Sequence, residues 1–534
     1  MVVRNVSTTT APKITYVTLS ADESIHPRYE AALQKFTQEL GRRYAMYIGE
    51  SEVRSKAGEF EHRSPIDTKV VVGYFQVGTA QHAREAIEEA AKSFASWSET
   101  SWRERVRIMR RAADLVDERK FEIAAVITYE VGKNRLEALA EAWEAIDAIR
   151  YYSKVMEEND GYLVQMGPGG PGESSRVVGK PFGAWPVISP FNFPFMLANG
   201  MALGALITGN TVILKPTSEA PLTGLLLYRI FRDAGVPPGV VSYVTGPGSN
   251  FEKEFVSNPK VAGIAFTGSR DVGTRLSREF LTGQPYPKPV VMEMGSKNPT
   301  IVTSKADLKK AVEGVVRAAY GYDGQKCSAT SRVYVQAAIK SRFLEELKSR
   351  VEQLGVGDPR EKGTFIGPVI NKTAVSKFRS AVQEVRRSRG GKLLCGGRIL
   401  KEGAFGEGYY VEPTLVSGLS SSNRLFREEL FLPFVVVGEF KTLDEALEKA
   451  NDTEYGLTAG IFSEDPREVE RFMDVIQFGV VYANRRGGAT TGAWPGAQSF
   501  VGWKASGSTG RGVGGPHYLL SFLREQSQTV VSSS

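Results

Sequence analysis

Tyr322-Asp323-Gly324-Gln325-Lys326-Cys327-Ser328-Ala329 holds one of only two cysteines in 534 residues. A thiol among small residues, with Lys326 beside it, suits a nucleophile, which acts as a thiolate in a partly exposed, electropositive setting. The same fragment also fits a small buried core residue. The other thiol, Cys395 in Lys-Leu-Leu-Cys-Gly-Gly, reads as a strand end before a turn. Glu293 closes the apolar run Val290–Met292 and precedes Gly295. A carboxylate at the carboxyl end of a parallel strand is placed for general-base work, and on its own it also fits a surface acid. Asn192, in Ser-Pro-Phe-Asn-Phe-Pro, follows another apolar run. Its amide suits an oxyanion, and taken alone it reads more readily as a turn asparagine. The four histidines, His26, His62, His82 and His517, are scattered. They have no metal-ligand spacing and give no support for a Ser-His-Asp arrangement.

Phosphate recognition has one good candidate. Phe266-Thr267-Gly268-Ser269-Arg270-Asp271-Val272-Gly273 follows an apolar run and opens a helical pattern. N–H groups at a helix start attract phosphate, and Ser269 serves equally as an N-cap. Two other stretches match G-x-G-x-x-G, at Gly167-x-Gly169-x-x-Gly172 and Gly510-x-Gly512-x-x-Gly515. Neither follows a strand and opens a helix, so both read as chance matches in turns.

The elements that must position these residues alternate. Helical periodicity runs over His82–Trp97, Arg103–Val126 and Leu136–Met156. The breaker cluster Gly167–Gly172 separates Tyr162–Gln165 from Arg176–Val178, which predicts a protruding hairpin. Strands are expected at Ala184–Ile188, Thr211–Leu214, Val241–Val244, Val261–Phe266 and Val290–Met292, with helix-length segments between most of them. That rhythm predicts an α/β fold with a Rossmann-type, doubly wound parallel sheet. A second α/β alternation follows Asn298: Thr300–Val302, a helix over Leu308–Tyr320, the Cys327 turn, Arg332–Val335, and a helix over Ser341–Leu354. The last fifty or so residues are rich in Gly and Ser with short extended pieces. We expect residues 1–45 to form an arm, 46–160 with 179–292 a dinucleotide-binding domain, 293–483 a catalytic domain, and 161–178 with 484–534 a small β oligomerisation element.

Composition narrows the classes. With 42% apolar and 24% charged residues the chain is an ordinary globular protein of two or three domains. The formal charge of +7 is spread among interleaved acids and bases, as in Arg103-Glu104-Arg105, without the basic stripe of a nucleic-acid binder. No apolar run reaches the ~18 residues that span a bilayer. The N-terminus lacks a signal core, and two cysteines make no disulfide framework. The expectation is a cytoplasmic protein with no membrane or nucleic-acid partner.

In order, Pro190-Phe191-Asn192-Phe193-Pro194, Leu214-Lys215-Pro216, Phe266-Thr267-Gly268-Ser269, Glu293-Met294-Gly295-Ser296-Lys297, Gly324-Gln325-Lys326-Cys327, Glu428-Glu429-Leu430-Phe431 and Asn484-Arg485 resemble the aldehyde dehydrogenase superfamily over about residues 45–530. Within it, Gly324–Ala329, Phe266–Gly273, Thr491-Gly492-Ala493, Gln498-x-Phe500 and Gly514-Gly515-Pro516-His517-Tyr518 are similar to the 1-pyrroline-5-carboxylate dehydrogenase family. Its members oxidise L-glutamate γ-semialdehyde to glutamate in proline catabolism. The resemblance implies Cys327 as nucleophile, Glu293 as the base for water, and Asn192 with the Cys327 N–H as oxyanion donors. It implies NAD, with NADP also possible, on Lys215, Ser218, Gly268, Ser269, Gly273, Glu429 and Phe431. NAD-specific relatives often carry Glu where this chain has Ser218, with Glu219 next. For the substrate it implies Ser328, Gly492 and Ala493 on the carboxylate, Glu144 near the α-amino group, and Phe193 and Phe500 along the stem. Without the resemblance, Glu137, Glu141 and Glu144 read as a solvated acidic stripe. A homo-oligomer, a dimer or dimer-based assembly, is also implied.

The chain departs from the family pattern at Ser296, Leu432 and Val501. Leu432 and Val501 are expected to add bulk near the cofactor and substrate entrances. These departures keep open another aldehyde substrate, such as succinate semialdehyde or simple aliphatic aldehydes. A non-catalytic binding protein on the same fold is opposed by intact Cys327, Glu293 and Asn192.

Overall fold

The alternating apolar runs become two seven-stranded sheets, beside a three-stranded sheet that carries the expected hairpin; a second three-stranded sheet and a two-stranded pair complete the sheets among the described residues. The computed structural model describes residues 22–487 and 494–532. In the first sheet the spatial order is Val290–Met294, Ile264–Gly268, Ala184–Ser189, Thr211–Pro216 and Val241–Tyr243, all parallel. From Ala184–Ser189 the chain steps one way through Thr211–Pro216 to Val241–Tyr243. It then returns to the other side for Ile264–Gly268 and Val290–Met294. The order therefore reverses between Ala184–Ser189 and Ile264–Gly268, and ligands of such sheets bind at the carboxyl ends of the strands flanking that point.

The sheet is not parallel throughout. The hairpin Met46–Ile48 and Ser51–Val53 adds two antiparallel strands at its edge. These runs are too short for periodicity to betray them, and only the two-residue turn Gly49-Glu50 marks the hairpin. Helix Ile25–Thr37 buries Ile25, Tyr29, Leu33 and Phe36. The Tyr29 hydroxyl meets Thr128 Oγ1 at 2.5 Å and Phe36 packs on Tyr129, so this segment docks on helix Trp102–Val131.

The second sheet runs Lys392–Cys395, Thr414–Ser417, Phe434–Phe440, Thr330–Gln336, Asn298–Val302, Thr458–Phe462, Val480–Ala483, with only the first pair antiparallel. Strand Val290–Met294 ends the first sheet with Glu293 next to its last residue, and the three-residue link 295–297 leads to Asn298–Val302 of the second. The expected hairpin forms as Leu163–Met166 and Glu173–Pro181, with the glycine cluster in its turn. Its third strand, Leu523–Val531, pairs with Glu173–Pro181 along nine residues. Only short pieces were expected in the tail. Leu-Arg-Glu-Gln-Ser-Gln-Thr-Val-Val is mostly polar and exposed on both faces, so no alternation marks it as a strand.

Candidate active site

A cavity of about 420 Å³ opens at the reversal point of the first sheet. Its wall includes Pro190, Phe191 and Asn192 beyond one strand and Gly268 and Ser269 beyond its neighbour, with Lys215 and Thr217 at the far end. Cys327, Glu429 and Phe431 from the second α/β unit close it. The site thus lies between the two large sheets.

Cys327 precedes strand Thr330–Gln336 and is partly exposed. Asn298 Nδ2 fixes its loop by donating to Cys327 O (2.7 Å) and Ala329 O (2.9 Å), while Asn298 Oδ1 accepts from Thr458 N. Upstream, Tyr322 and Asp323 take left-handed φ values of 48° and 57°, a conformation costly for residues with a Cβ. The Tyr322 hydroxyl donating to Val131 O and Gln325 Oε1 accepting from Ile370 N hold this turn. Lys326, expected to make the thiol's surroundings electropositive, has its ammonium paired with Glu137, 2.6 Å away. Burial, then Glu429 and Glu293, push the thiol up to about 12, while the N–H groups of Ser328 and Cys327 act the other way.

Glu293 is buried, with Oε2 unpartnered among the described residues. Burial holds its carboxyl well above the usual range. Its strand is clasped by the tail: Met294 N donates to Ser506 O, and Ser506 Oγ donates to Gly295 O. Asn192 is buried, lines the cavity beside Cys327, and makes no side-chain hydrogen bond among the described residues. The geometry thus joins a thiol, an amide free to donate, and a buried carboxyl.

Elsewhere in the cavity wall, Lys215 Nζ has one hydrogen bond among the described residues, to Pro216 O, and burial pushes the amine down to about 8. A buried cation with unused N–H groups in a cavity wall suits ligand hydroxyls. Ser269 caps helix Arg270–Gly283 by accepting from Val272 N, and it lines the cavity as well. Gly268 lines the cavity, but a side chain there would strike the Phe266 ring at 2.5 Å, so packing already requires glycine. Gly273 likewise faces Met294 Sδ at 2.6 Å and does not line the cavity. Glu429 Oε1 accepts from Ser296 N (2.8 Å), and burial pushes it up to about 7. A Cβ at Gly295 would lie 2.0 Å from Glu429 Oε2, so a side chain there would displace this carboxyl from Ser296 N. Phe431, in left-handed backbone, meets Phe191 edge-on at 5.8 Å. Ser218 does not line the cavity, while Thr217 does. The Glu219 carboxylate is held by Asn371 Nδ2. Lys377, which the sequence did not single out, lines the cavity and donates to Glu429 O. A cavity wall that combines a buried amine, a capped helix start, a buried carboxyl and a thiol suits a dinucleotide. Leu432 does not enter it; the side chain packs in the core of the second unit. Val501 is half-buried, with its carbonyl against Gly479.

On the substrate side, Glu144 is partly exposed and pushed up to about 8, by burial first and then by Glu141. The solvated stripe expected over Glu137, Glu141 and Glu144 does not form. Glu141 is completely buried against Lys133, and Glu137 meets Lys326. Phe193 lies beneath Lys133 Nζ, 3.5 Å from its ring centroid. Ser328 is buried, and its carbonyl accepts from Thr458 Oγ1. Phe500 is half-buried and pairs with Val513. Gly492 and Ala493 lie outside the described residues.

Residues 53–528 match the model of the aldehyde dehydrogenase family. The chain is 37% identical over 504 residues to a 1-pyrroline-5-carboxylate dehydrogenase of Geobacillus thermodenitrificans (strain NG80-2), covering 94% of this chain and 95% of the relative. It is 35% identical over 517 residues to 1-pyrroline-5-carboxylate dehydrogenase 2 of Bacillus subtilis (strain 168), covering 95% and 96%. A crystal structure of 1-pyrroline-5-carboxylate dehydrogenase from Thermus with bound NAD superimposes with a TM-score of 0.92 at 36% identity, covering 98% of this chain and all of the other.

Proposed function

This chain belongs to the aldehyde dehydrogenase family, and we propose that it oxidises L-glutamate γ-semialdehyde, the open form of 1-pyrroline-5-carboxylate, to L-glutamate with NAD in proline catabolism. The observation that carries this reading is one cavity lined by both the buried amine of Lys215 and the thiol of Cys327. Relatives of that name align over nearly the whole chain.

In this reading Lys215, Ser269, Glu429 and Phe431 hold the cofactor, which when bound supplies the hydride acceptor. Cys327 Sγ passes its proton to solvent and bonds to the aldehyde carbon as the C=O electron pair moves onto oxygen. The Asn192 amide and the Cys327 N–H hold the resulting oxyanion, a contribution of ~3 kcal/mol for such a donor. Once the carbon is oxidised, a thioester remains on Cys327. Glu293 takes a proton from water, the water oxygen bonds to the thioester carbon, and the S–C bond breaks to release the acid. Since burial favours protonated Glu293, this step speeds up as pH rises. Ser328 with Gly492 and Ala493 receives the substrate carboxylate, Glu144 its ammonium, and Phe193 and Phe500 its stem. Glu219 is engaged by Asn371 and Ser218 carries no charge, so NADP is accepted beside NAD.

Residues 46–160 and 179–292 form the dinucleotide-binding domain and 293–483 the catalytic domain, with helix Ile25–Thr37 packed on the former. Of segments 161–178 and 484–534, strands Leu163–Met166, Glu173–Pro181 and Leu523–Val531 make the oligomerisation sheet, whereas Trp503–Lys504 pairs with Tyr455–Gly456 and Ser506 with Met294. Exposed Val164, Met166, Val530 and Val531 on that sheet support a homo-oligomer. No helix among the described residues is long and apolar enough to cross a membrane, and both cysteines are free, in keeping with work in the cytoplasm.

The test is incubation with NAD and 1-pyrroline-5-carboxylate, measuring L-glutamate against NADH. One glutamate per NADH, with kcat/KM above that for propanal and succinate semialdehyde, is expected. Better turnover of either competitor overturns the substrate and leaves aldehyde oxidation standing.

A further inference from the structure

Lys133 stands in the link Gly132-Lys133-Asn134 between two long helices, Trp102–Val131 and Arg135–Glu158. Both ends of the link are capped. Gly132, at φ 73°, donates its N–H to Thr128 O, and Asn134 Oδ1 accepts from Glu137 N. The lysine between them is completely buried, with its ammonium 2.6 Å from Glu141 Oε2 on an equally buried side chain. Glu141 Oε1 accepts from Phe195 N (2.8 Å) and Met196 N (3.0 Å), at the start of helix Met196–Ile207. Asn192, Phe193 and Pro194 immediately precede this anchor. The ammonium also lies 3.5 Å from the Phe193 ring centroid and 4.9 Å from that of Tyr322, in the turn before Cys327.

We infer that the Lys133–Glu141 pair is a positioning device for the reaction, setting the Asn192 amide and the Phe193 ring against Cys327. A buried ion pair is a weak source of stability, because desolvation offsets the attraction, and apolar packing often does as well. Its value lies in direction, and here each contact named above falls on one of the two segments that carry the reacting groups. The carboxylate fixes where the segment after Asn192 begins its helix. The ammonium fixes the face of Phe193 and bridges to the Cys327 turn. The inference rests on the proposed role of Asn192 as oxyanion donor.

A double-mutant cycle tests it on the full-length enzyme with NAD and 1-pyrroline-5-carboxylate. Asn192→Ala alone should lose on the order of 10²–10³ in kcat. Lys133→Met should lose about tenfold or more in kcat, bounded by the Asn192→Ala loss, with KM for NAD nearly unchanged. In the Asn192→Ala background the added loss should stay within about threefold, because a displaced donor no longer matters once it is absent. Melting curves verify folding. If Lys133→Met does not fold, Glu141→Gln, which keeps an acceptor for the two N–H groups and removes the charge, is run through the same cycle. If Asn192→Ala is impaired and the pair's loss multiplies in full on top of it, the positioning role is overturned while the proposed function stands. If Asn192→Ala loses nothing, the oxyanion assignment falls and takes this inference with it.

Discussion

A thiol facing two carboxyls is a poor nucleophile until its proton is removed. Cys327 is held near 12 by burial, Glu429 and Glu293, so the cofactor-free protein should resist alkylation at neutral pH. The thiolate fraction grows tenfold per pH unit below that value. Iodoacetamide labelling of Cys327 should therefore rise about tenfold per unit from about pH 7 to about pH 10 without a plateau, and a plateau below about pH 9 would contradict the burial argument. Glu144 makes a second prediction at this scale. Its carboxyl, held near 8 beside Glu141, gains a partner when an ammonium arrives. Glu144→Gln should lower kcat/KM for glutamate semialdehyde about tenfold relative to propanal, roughly 1.4 kcal/mol. Equal losses for both would exclude a contact with the amino group. Cys327, Glu293 and Asn192 were picked out by the family motifs that carry them; taken alone, each fitted equally a core cysteine, a surface acid or a turn asparagine. The charge around Cys327 was not legible, because Lys326 is adjacent in sequence yet its partner, Glu137, is remote.

Helices from His82 to Met156 were visible in their 3.6-residue period, and the first-sheet strands in their β-rich runs. Their boundaries moved by a few residues where caps decide them, as at Asn134 and Gly132. Without the resemblance, Glu137, Glu141 and Glu144 read as a solvated stripe because acids at helical spacing usually face water. Here two lysines from other segments, Lys133 and Lys326, draw it inward. The Lys326 pairing is non-local and the Lys133 pairing folds back from the link before the helix, and neither leaves a trace in periodicity. The turn before Cys327 shows how tightly these elements meet. Gly324 has φ +64°, and a Cβ there would lie 2.3 Å from Leu432 O, a backbone atom. Gly324→Ala should cost more than ~2 kcal/mol, read as a lower midpoint in urea unfolding. An unchanged midpoint would mean the turn tolerates a side chain.

The two large α/β units were readable as units because strands and helices alternate, and the site falls where the first sheet reverses order. The third sheet was half legible: its glycine turn announced the hairpin, whereas its polar third strand announced nothing. That sheet exposes Val164, Met166, Val530 and Val531, which a second copy would cover. Val164→Asp with Val530→Asp should lower the mass seen by light scattering, and an undiminished mass would place the interface elsewhere. The account as a whole stands or falls on covalent chemistry at Cys327 with Glu293 releasing the product. The most direct measurement is rapid-quench mass spectrometry of the Glu293→Gln variant mixed with NAD and 1-pyrroline-5-carboxylate. The account predicts one NADH per site and a glutamyl thioester mapped to Cys327. NADH formed over many turnovers with Cys327 unmodified would contradict it.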